Sequence, residues 1–197
     1  MKKLLEGGNV FKGTDGQPLT GRINQNDVPG TVAWVEKLTG IEFPKERWLG
    51  STGRKPTSGD LDLAVDVSKI SKETLITQLI KQGIDPKDIR KTGDSVHLKT
   101  PILGDASNGF VQTDFMFSDN PTLQQFALMG GGAGSQFKGV HRAILLASIA
   151  KAQNMKWSPK FGLVNRETNE VISQDPKEIA EKLIGGTPSD MANVETI

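Results

Sequence analysis

Two aspartates stand two residues apart at the start of a segment that predicts a β-strand. Asp60 and Asp62 lead into Leu63-Ala64-Val65. Side chains two apart on a strand share one face, with Cα atoms about 6–7 Å apart. Two carboxylates at this spacing can hold a pair of divalent ions about 3.5–4 Å apart. Since all the donors are oxygen atoms, the pattern predicts two Mg²⁺ or Mn²⁺ ions rather than zinc.

A third carboxylate interrupts a later strand-forming segment. Asp114 lies within residues 110–117, which otherwise consist largely of residues that favour β-structure. A carboxylate buried there without a partner costs several kcal/mol, and a bound cation would supply that partner. Each aspartate also has an ordinary interpretation: a helix cap at Asp60, a turn at Asp62 and an edge strand at Asp114. We favour the metal site because a phosphate-binding pattern lies beside it.

That pattern precedes the two aspartates. Gly50 and Ser51 follow a short predicted strand at residues 47–49 and begin a tight turn. Free backbone N–H groups and a hydroxyl in such a turn can hold phosphate oxygens. Arg54 can supply a forked cation to the same phosphates.

The positive charge is concentrated in one stretch, although the net charge of the chain is only +1. No acid occurs between residues 120 and 166, and this stretch contains Lys138, Arg142, Lys151, Lys156, Lys160 and Arg166. Such a block predicts a surface for a polyanion, with Lys138, Arg142 and Lys151 as the candidate nucleic-acid contacts. A lysine-rich solvated helix face is the alternative.

Periodicity and capping residues predict an α+β fold. Helices are expected at about 28–39, 71–82, 121–129, 138–153 and 175–183. Strands are expected at 61–67, 95–103 and 110–117, with hairpins near residues 14–16 and across 161–173. On the helix at 138–153, the expected buried residues are Val140, Ile144, Ala147 and Ile149.

Composition indicates an ordinary soluble protein. The 197 residues contain no cysteine, which excludes disulfides and thiolate zinc sites. No apolar run reaches the roughly 18 residues of a membrane span, so we expect no membrane partner and a cytoplasmic location. His97 and His141 have no acid or second histidine at metal spacing, and we interpret both as structural or surface residues.

The segment Leu49-Gly50-Ser51…Arg54…Ser58-Gly59-Asp60-Leu61-Asp62 resembles the signature of the DNA polymerase beta-like nucleotidyltransferase superfamily. It is most similar to the X-family DNA polymerases. The resemblance continues through Gly134-Ser135-Gln136-Phe137, Arg142, Met155-Lys156-Trp157 and the closing Asp175–Leu183 segment, which are similar to that family's thumb lobe. Gln112 departs from the pattern, because the family often has an arginine two residues before the third carboxylate.

The resemblance implies a nucleotidyltransferase palm, a mixed β-sheet with helices, followed by a small C-terminal α/β thumb lobe. It divides the chain into an arm (1–27), a catalytic palm (28–130), a thumb-like lobe (131–186) and a flexible tail (187–197). The glycines at 130–134 would form a hinge or a simple linker. Asp60, Asp62 and Asp114 would be the catalytic metal ligands, and the implied nucleotide-binding residues are Gly50, Ser51, Arg54, Ser58 and Gly59.

The implied reaction transfers a nucleotide from an NTP or dNTP to a 3′-hydroxyl of a nucleic acid, DNA being favoured, with release of pyrophosphate. Two alternatives remain open. The same chemistry would serve a tRNA, small-molecule or protein acceptor, or the chain is a non-catalytic module that binds nucleotides or nucleic acid. The sequence does not indicate an oligomeric state.

Overall fold

A computed structural model describes residues 9–129 and 139–194. The described helices are α1 (Val28–Thr39), α2 (Lys72–Lys81), α3 (Pro121–Leu128), α4 (Gly139–Ala152), α5 (Pro176–Ile184) and α6 (Pro188–Ala192). The described strands are β1 (Ile23–Asn24), β2 (Thr57–Ser58), β3 (Asp60–Asp66), β4 (Ile89–Thr92), β5 (Ser95–Pro101), β6 (Phe110–Ser118), β7 (Met155–Ser158), β8 (Gly162–Asn165) and β9 (Val171–Ser173). The predicted hinge at 130–134 lies outside the described residues.

The largest sheet is mixed, with the strand order β3-β6-β5-β4. Strand β6 runs parallel to β3, whereas β5 is antiparallel to both of its neighbours β6 and β4. This arrangement of a mixed sheet with helices confirms the predicted α+β class. Because β6 lies between β3 and β5, it has contacts on both sides at the position of Asp114.

The two faces of this sheet differ in polarity, since strand side chains alternate. One face carries Leu61, Leu63 and Phe115, which are fully buried beneath α1 and α2. The opposite face, called here the polar face, carries Asp60, Asp62, His97, Gln112 and Asp114. The alternation therefore places all three predicted catalytic aspartates on one side of the sheet.

Helix caps formed as the sequence predicted. The Ser71 hydroxyl accepts a hydrogen bond from the Thr74 N–H at 3.0 Å and begins α2. The Asp175 carboxylate accepts from the Lys177 and Glu178 N–H groups and begins α5. These contacts satisfy N–H groups that have no partner inside the helix.

Two local predictions were wrong, and one strand was not predicted. The strand expected at 47–49 is only a single bridge between Trp48 and Leu63. Strand β4 was missed, because the 3-10 turn at Pro86–Asp88 leads directly into it. The tail expected to be flexible instead contains α6, whose Thr187–Asp190 capping box and buried Met191 fix it against the protein.

A second hydrophobic core lies in the C-terminal half. Its members come from α3, α4, α5, α6 and the antiparallel sheet β7-β8-β9: Leu123, Phe126, Leu146, Ala150, Leu163, Ile179, Ala180, Leu183 and Met191. The rings of Phe126 and Trp157 meet edge-to-face with centroids 5.8 Å apart. Helix α3, which the predicted boundary at 130 places with the first domain, contributes Leu123 and Phe126 to this core and also contacts β3 and β6 of the larger sheet.

The buried face of α4 differs from the prediction. Leu146 and Ala150 are buried, whereas Ile144 is 60% exposed, Ala147 is exposed and Ile149 is only half-buried. The side chain of Val140 is outside the description. Helix α4 carries apolar residues on most of its sides, so the sequence pattern does not show which side is buried. Among the described helices, none is long and apolar enough to cross a membrane.

The N-terminal arm, of which the structure describes residues 9–27, forms the predicted turn at residues 14–16. Lys12 and Pro18 are bridged, and the Gly13 N–H donates to Gln17 O at 2.8 Å. The arm then contacts the sheet through the Gly21 N–H, which donates to Phe110 O at 2.8 Å. The described part of the arm is therefore folded against the larger sheet.

Candidate active site

Three aspartates converge on the polar face of the sheet. In the parallel pairing of β3 and β6, Asp62 lies directly opposite Asp114, and Asp60 lies one side-chain repeat away. One carboxylate oxygen from each aspartate lies within 4.8 Å of the other two. All three residues are half-buried, so the cluster opens to the surface without being fully solvated.

The turn at Gly50 is fastened to Asp62. The Leu49 N–H donates to Asp62 O, and the Asp62 N–H donates to the Thr52 hydroxyl, both at 2.9 Å. Gly50 has a φ of 56°, and a Cβ at this position would lie 2.8 Å from Asp62 Oδ2. The turn therefore needs glycine for its conformation and for the close approach of the carboxylate.

The electrostatics of the cluster favour a cation. Burial raises the pKa of Asp62 well above its ordinary value, and the charges of Asp60 and Asp114 raise it further. Burial and the Asp114 charge also raise the pKa of Asp60, while the Arg22 guanidinium partly offsets this increase. Without a counter-charge, the ionised cluster is destabilising.

Two arginines are candidates for binding an anionic ligand. Arg22 is held beside Asp60 by hydrogen bonds from its Nε and Nη2 to the Oγ1 and O atoms of Thr57, both at 3.0 Å. The Arg54 guanidinium has no hydrogen bond or salt bridge to the residues that the structure describes, and burial lowers its pKa. A half-buried guanidinium, which carries five N–H donors, is suited to bind an anion.

The other residues predicted to bind nucleotide have different positions. The Ser51 side chain is half-exposed in the turn, and Gly59 is exposed at the start of β3. Ser58 is buried, and its hydroxyl donates to Ser51 O at 2.9 Å. Ser58 thus holds the turn in place, while Gly50, Ser51, Arg54 and Gly59 remain accessible to a ligand.

Asp114 has two partners that the sequence did not connect with it. His97, opposite it on β5, has Nδ1 2.7 Å from Asp114 Oδ1. The Gln112 Nε2 donates to Oδ1 at 2.9 Å and to Oδ2 at 3.2 Å. His97 was interpreted as a structural or surface residue; it is buried, and it contacts an acid on the neighbouring strand. Only the strand register reveals this pair.

Arg22 was also missed. It belongs to the N-terminal arm, and Ile23 beside it pairs with Ser58 in the antiparallel contact of β1 with β2. Both strands have only two residues, and such short segments carry no periodicity that a sequence pattern could detect.

The residues predicted to bind nucleic acid lie in different environments. Lys138 lies outside the described residues, and Lys151 is exposed on α4. Arg142 is buried, and its guanidinium donates to Ala127 O at 3.0 Å and to Ala192 O at 3.1 Å. Burial lowers the pKa of Arg142, and the nearby Arg54 charge adds to this effect. The burial of Arg142 argues against a direct contact with nucleic acid.

We therefore expect Arg142 to contribute to stability. Replacing it by methionine keeps much of the side-chain volume but leaves two buried carbonyls without donors. The free energy of unfolding should fall by about 2–3 kcal/mol, which corresponds to a fall in melting temperature of roughly 5–10 °C for a chain of this size. Lys151→Met on the same helix is the matched control and should melt like the wild type. Equal melting temperatures for both variants would contradict this role.

Comparison of the chain with protein-family models and with curated protein sequences gives no match.

Proposed function

We propose that this protein is a metal-dependent nucleotidyltransferase that transfers a nucleotide from an NTP or dNTP to a 3′-hydroxyl of a nucleic acid and releases pyrophosphate. The observation that carries the proposal is the convergence of Asp60, Asp62 and Asp114, with oxygens within 4.8 Å of one another, beside the Gly50 turn. We also propose a cytoplasmic location, where nucleoside triphosphates and nucleic acids are available.

The three aspartates fit a pair of divalent cations. Their donor atoms are all oxygen, which favours Mg²⁺ or Mn²⁺. The raised pKa values of Asp60 and Asp62 reflect burial and mutual repulsion that positive charge would relieve. When bound, such ions would neutralise the phosphate charge and promote ionisation of the acceptor hydroxyl.

The protein's own groups would position the triphosphate. The N–H groups of the turn and the Ser51 hydroxyl can donate to phosphate oxygens, while Arg54 and Arg22 can supply positive charge. The acceptor hydroxyl loses its proton to water, and its oxygen forms a bond to the α-phosphorus as the bond from that phosphorus to the oxygen bridging the α- and β-phosphates breaks. Pyrophosphate leaves with the electron pair, and the developing charge on it is stabilised by the arginines.

A second candidate keeps this chemistry but uses a tRNA, small-molecule or protein acceptor. The observation that favours it is that three of the six cations in the basic stretch are buried or engaged with other residues of the protein. Arg142 is buried, Lys160 lies 3.9 Å from Asp94, and Lys156 donates to Asn169 at 2.7 Å. A smaller basic surface would suit an acceptor that requires less contact with a phosphate backbone.

The test is incubation with Mg²⁺ or Mn²⁺, labelled NTPs or dNTPs, and primed DNA, single-stranded DNA or tRNA. Asp60→Asn is the matched control. Extension of a nucleic acid by the wild type alone would support the proposal. Nucleotide consumption without extension would favour another acceptor. Equal inactivity of both proteins would favour a non-catalytic binding module.

A further inference from the structure

We propose that the N-terminal arm is part of the catalytic centre, in which it orients the third carboxylate, Asp114, through Gln112, while His97 holds that carboxylate from the other side. This inference rests on the proposed function, because it concerns the same metal-binding aspartates. It assigns positioning roles to Val10, Gln112 and His97, none of which is a metal ligand in the proposal.

The arm is held firmly over the polar face. The Asn9 side chain donates to Thr20 O at 2.9 Å, and the Leu19 N–H donates to Phe11 O at 2.9 Å. Phe11 is only 2% exposed, and the Arg90 guanidinium lies 5.9 Å from the centre of its ring. Val10, between Asn9 and Phe11, therefore has a fixed position.

The backbone of Val10 selects one orientation of the Gln112 amide. The Val10 N–H donates to Gln112 Oε1 at 2.9 Å. A backbone N–H can only donate, so the amide oxygen must face Val10 and the amide nitrogen must face Asp114. The reversed amide would lose these hydrogen bonds and would place its oxygen against the carboxylate. Since Gln112 is 5% exposed, water cannot easily replace the lost partners.

Asp114 is consequently held from two directions. Its Oδ1 is 2.9 Å from Gln112 Nε2 and 2.7 Å from His97 Nδ1, whereas Oδ2 has, among the described residues, only the longer Gln112 contact at 3.2 Å. An ionised carboxylate only accepts, so His97 Nδ1 is the donor. The other ring nitrogen, Nε2, is hydrogen-bonded to the Thr92 hydroxyl, which fixes the plane of the ring.

Oδ2 is therefore the oxygen of Asp114 with fewer contacts. A network of hydrogen bonds that joins the arm, β6, β5 and β4 fixes its direction. Groups that orient a metal ligand in this way typically change metal affinity or activity by about 10–100-fold when they are lost. The arm should therefore affect metal binding although it supplies no ligand.

The test uses Mn²⁺ as the probe and measures its dissociation constant by electron paramagnetic resonance of the free ion. Val10→Pro removes the N–H donor, and Val10→Ala, which keeps it, is the matched control. Gln112→Met removes the amide at similar volume. His97→Leu removes the ring, whereas His97→Asn can restore a donor near the position of Nδ1. Asp62→Asn identifies the Mn²⁺ signal that belongs to the aspartates.

We expect Val10→Pro, Gln112→Met and His97→Leu to weaken Mn²⁺ binding by about 10–100-fold. Val10→Ala should match the wild type, and His97→Asn should recover much of the loss. In transfer assays at fixed Mn²⁺ concentration, kcat should fall while KM for the nucleotide changes less than about twofold, because the triphosphate-binding turn is intact.

Two results would overturn the inference. If the wild type binds Mn²⁺ through Asp62 but Gln112→Met and Val10→Pro bind it equally well, the positioning role is wrong and the proposed function stands. If the wild type shows no Asp62-dependent Mn²⁺ binding, the proposed metal chemistry fails and the positioning role fails with it. Gln112→Met keeps the test decisive if proline at residue 10 disturbs the arm.

Discussion

Replacing Asp62 by asparagine is expected to stabilise the metal-free protein and to abolish nucleotidyl transfer. The stabilisation follows because Asp62 is a half-buried carboxylate whose pKa is raised by burial and by the charges of Asp60 and Asp114. A neutral amide of the same shape removes that repulsion, which should add about 1–2 kcal/mol to the free energy of unfolding. In EDTA the melting temperature should therefore rise by several degrees.

The effect should depend on pH. A carboxyl group with a raised pKa in the folded state binds more protons there than in the unfolded chain, so stability falls as pH rises between the two values. Near pH 4, about the unfolded pKa, wild type and Asp62→Asn should melt at similar temperatures in EDTA. The advantage of the variant should grow with rising pH until Asp62 of the folded wild type is ionised. The measurement is the difference in melting temperature across pH.

Added Mg²⁺ or Mn²⁺ should reverse the order of the two proteins. The wild type should gain stability from the ions, since a ligand that binds only the folded state stabilises it, whereas Asp62→Asn should gain little. Transfer activity of the variant should fall by at least about 1,000-fold, because charge neutralisation and positioning supply most of the catalysis. A variant that is less stable than the wild type in EDTA at neutral pH would contradict this account of the cluster.

Gly50→Ala is expected to have the second-largest effect, a loss of activity greater than its loss of stability would cause. The added Cβ would lie 2.8 Å from Asp62 Oδ2, so the carboxylate or the turn must move. A shift of about 1 Å in a positioned catalytic group can lower the rate about 100-fold. We expect kcat/KM to fall by at least that factor, together with weaker Mn²⁺ binding.

Gly93→Ala provides the matched control for this substitution. Gly93 has a φ of 50°, similar to the 56° of Gly50, but a Cβ there would meet nothing within 4 Å. Both variants should lose about 1–2 kcal/mol of stability from the left-handed backbone. Only Gly50→Ala should lose activity. Equal activities of the two variants would show that Asp62 tolerates the added methyl group.

The positions of the three aspartates on strands were predictable, because each depends on residues nearby in the sequence. The spacing of Asp60 and Asp62 on one strand places both side chains on one face whatever surrounds them. The caps at Ser71 and Asp175 were likewise predictable, since a cap depends on side chains and N–H groups two or three residues apart.

The partners of Asp114 could not be predicted, because they depend on strand register. If the two predicted strands at 95–103 and 110–117 are paired symmetrically about their connecting turn, His97 falls opposite Met116. In the structure His97 faces Asp114, since the turn region contains two 3-10 segments and β5 ends at Pro101. The composition of the eight residues between β5 and β6 does not predict the register in which these two strands pair.

The sequence by itself therefore determined the α+β class, the principal helices and the strand positions of the three aspartates, because these depend on neighbours a few residues apart. Only the tertiary structure decided which side chains surround them. In the folded protein Arg142 is buried and donates to two backbone carbonyls, and Arg22 lies beside Asp60. Val10 contacts Gln112, which is 102 residues away in the sequence. Burial and contacts between distant segments depend on how the whole chain packs, which no local pattern of residues specifies.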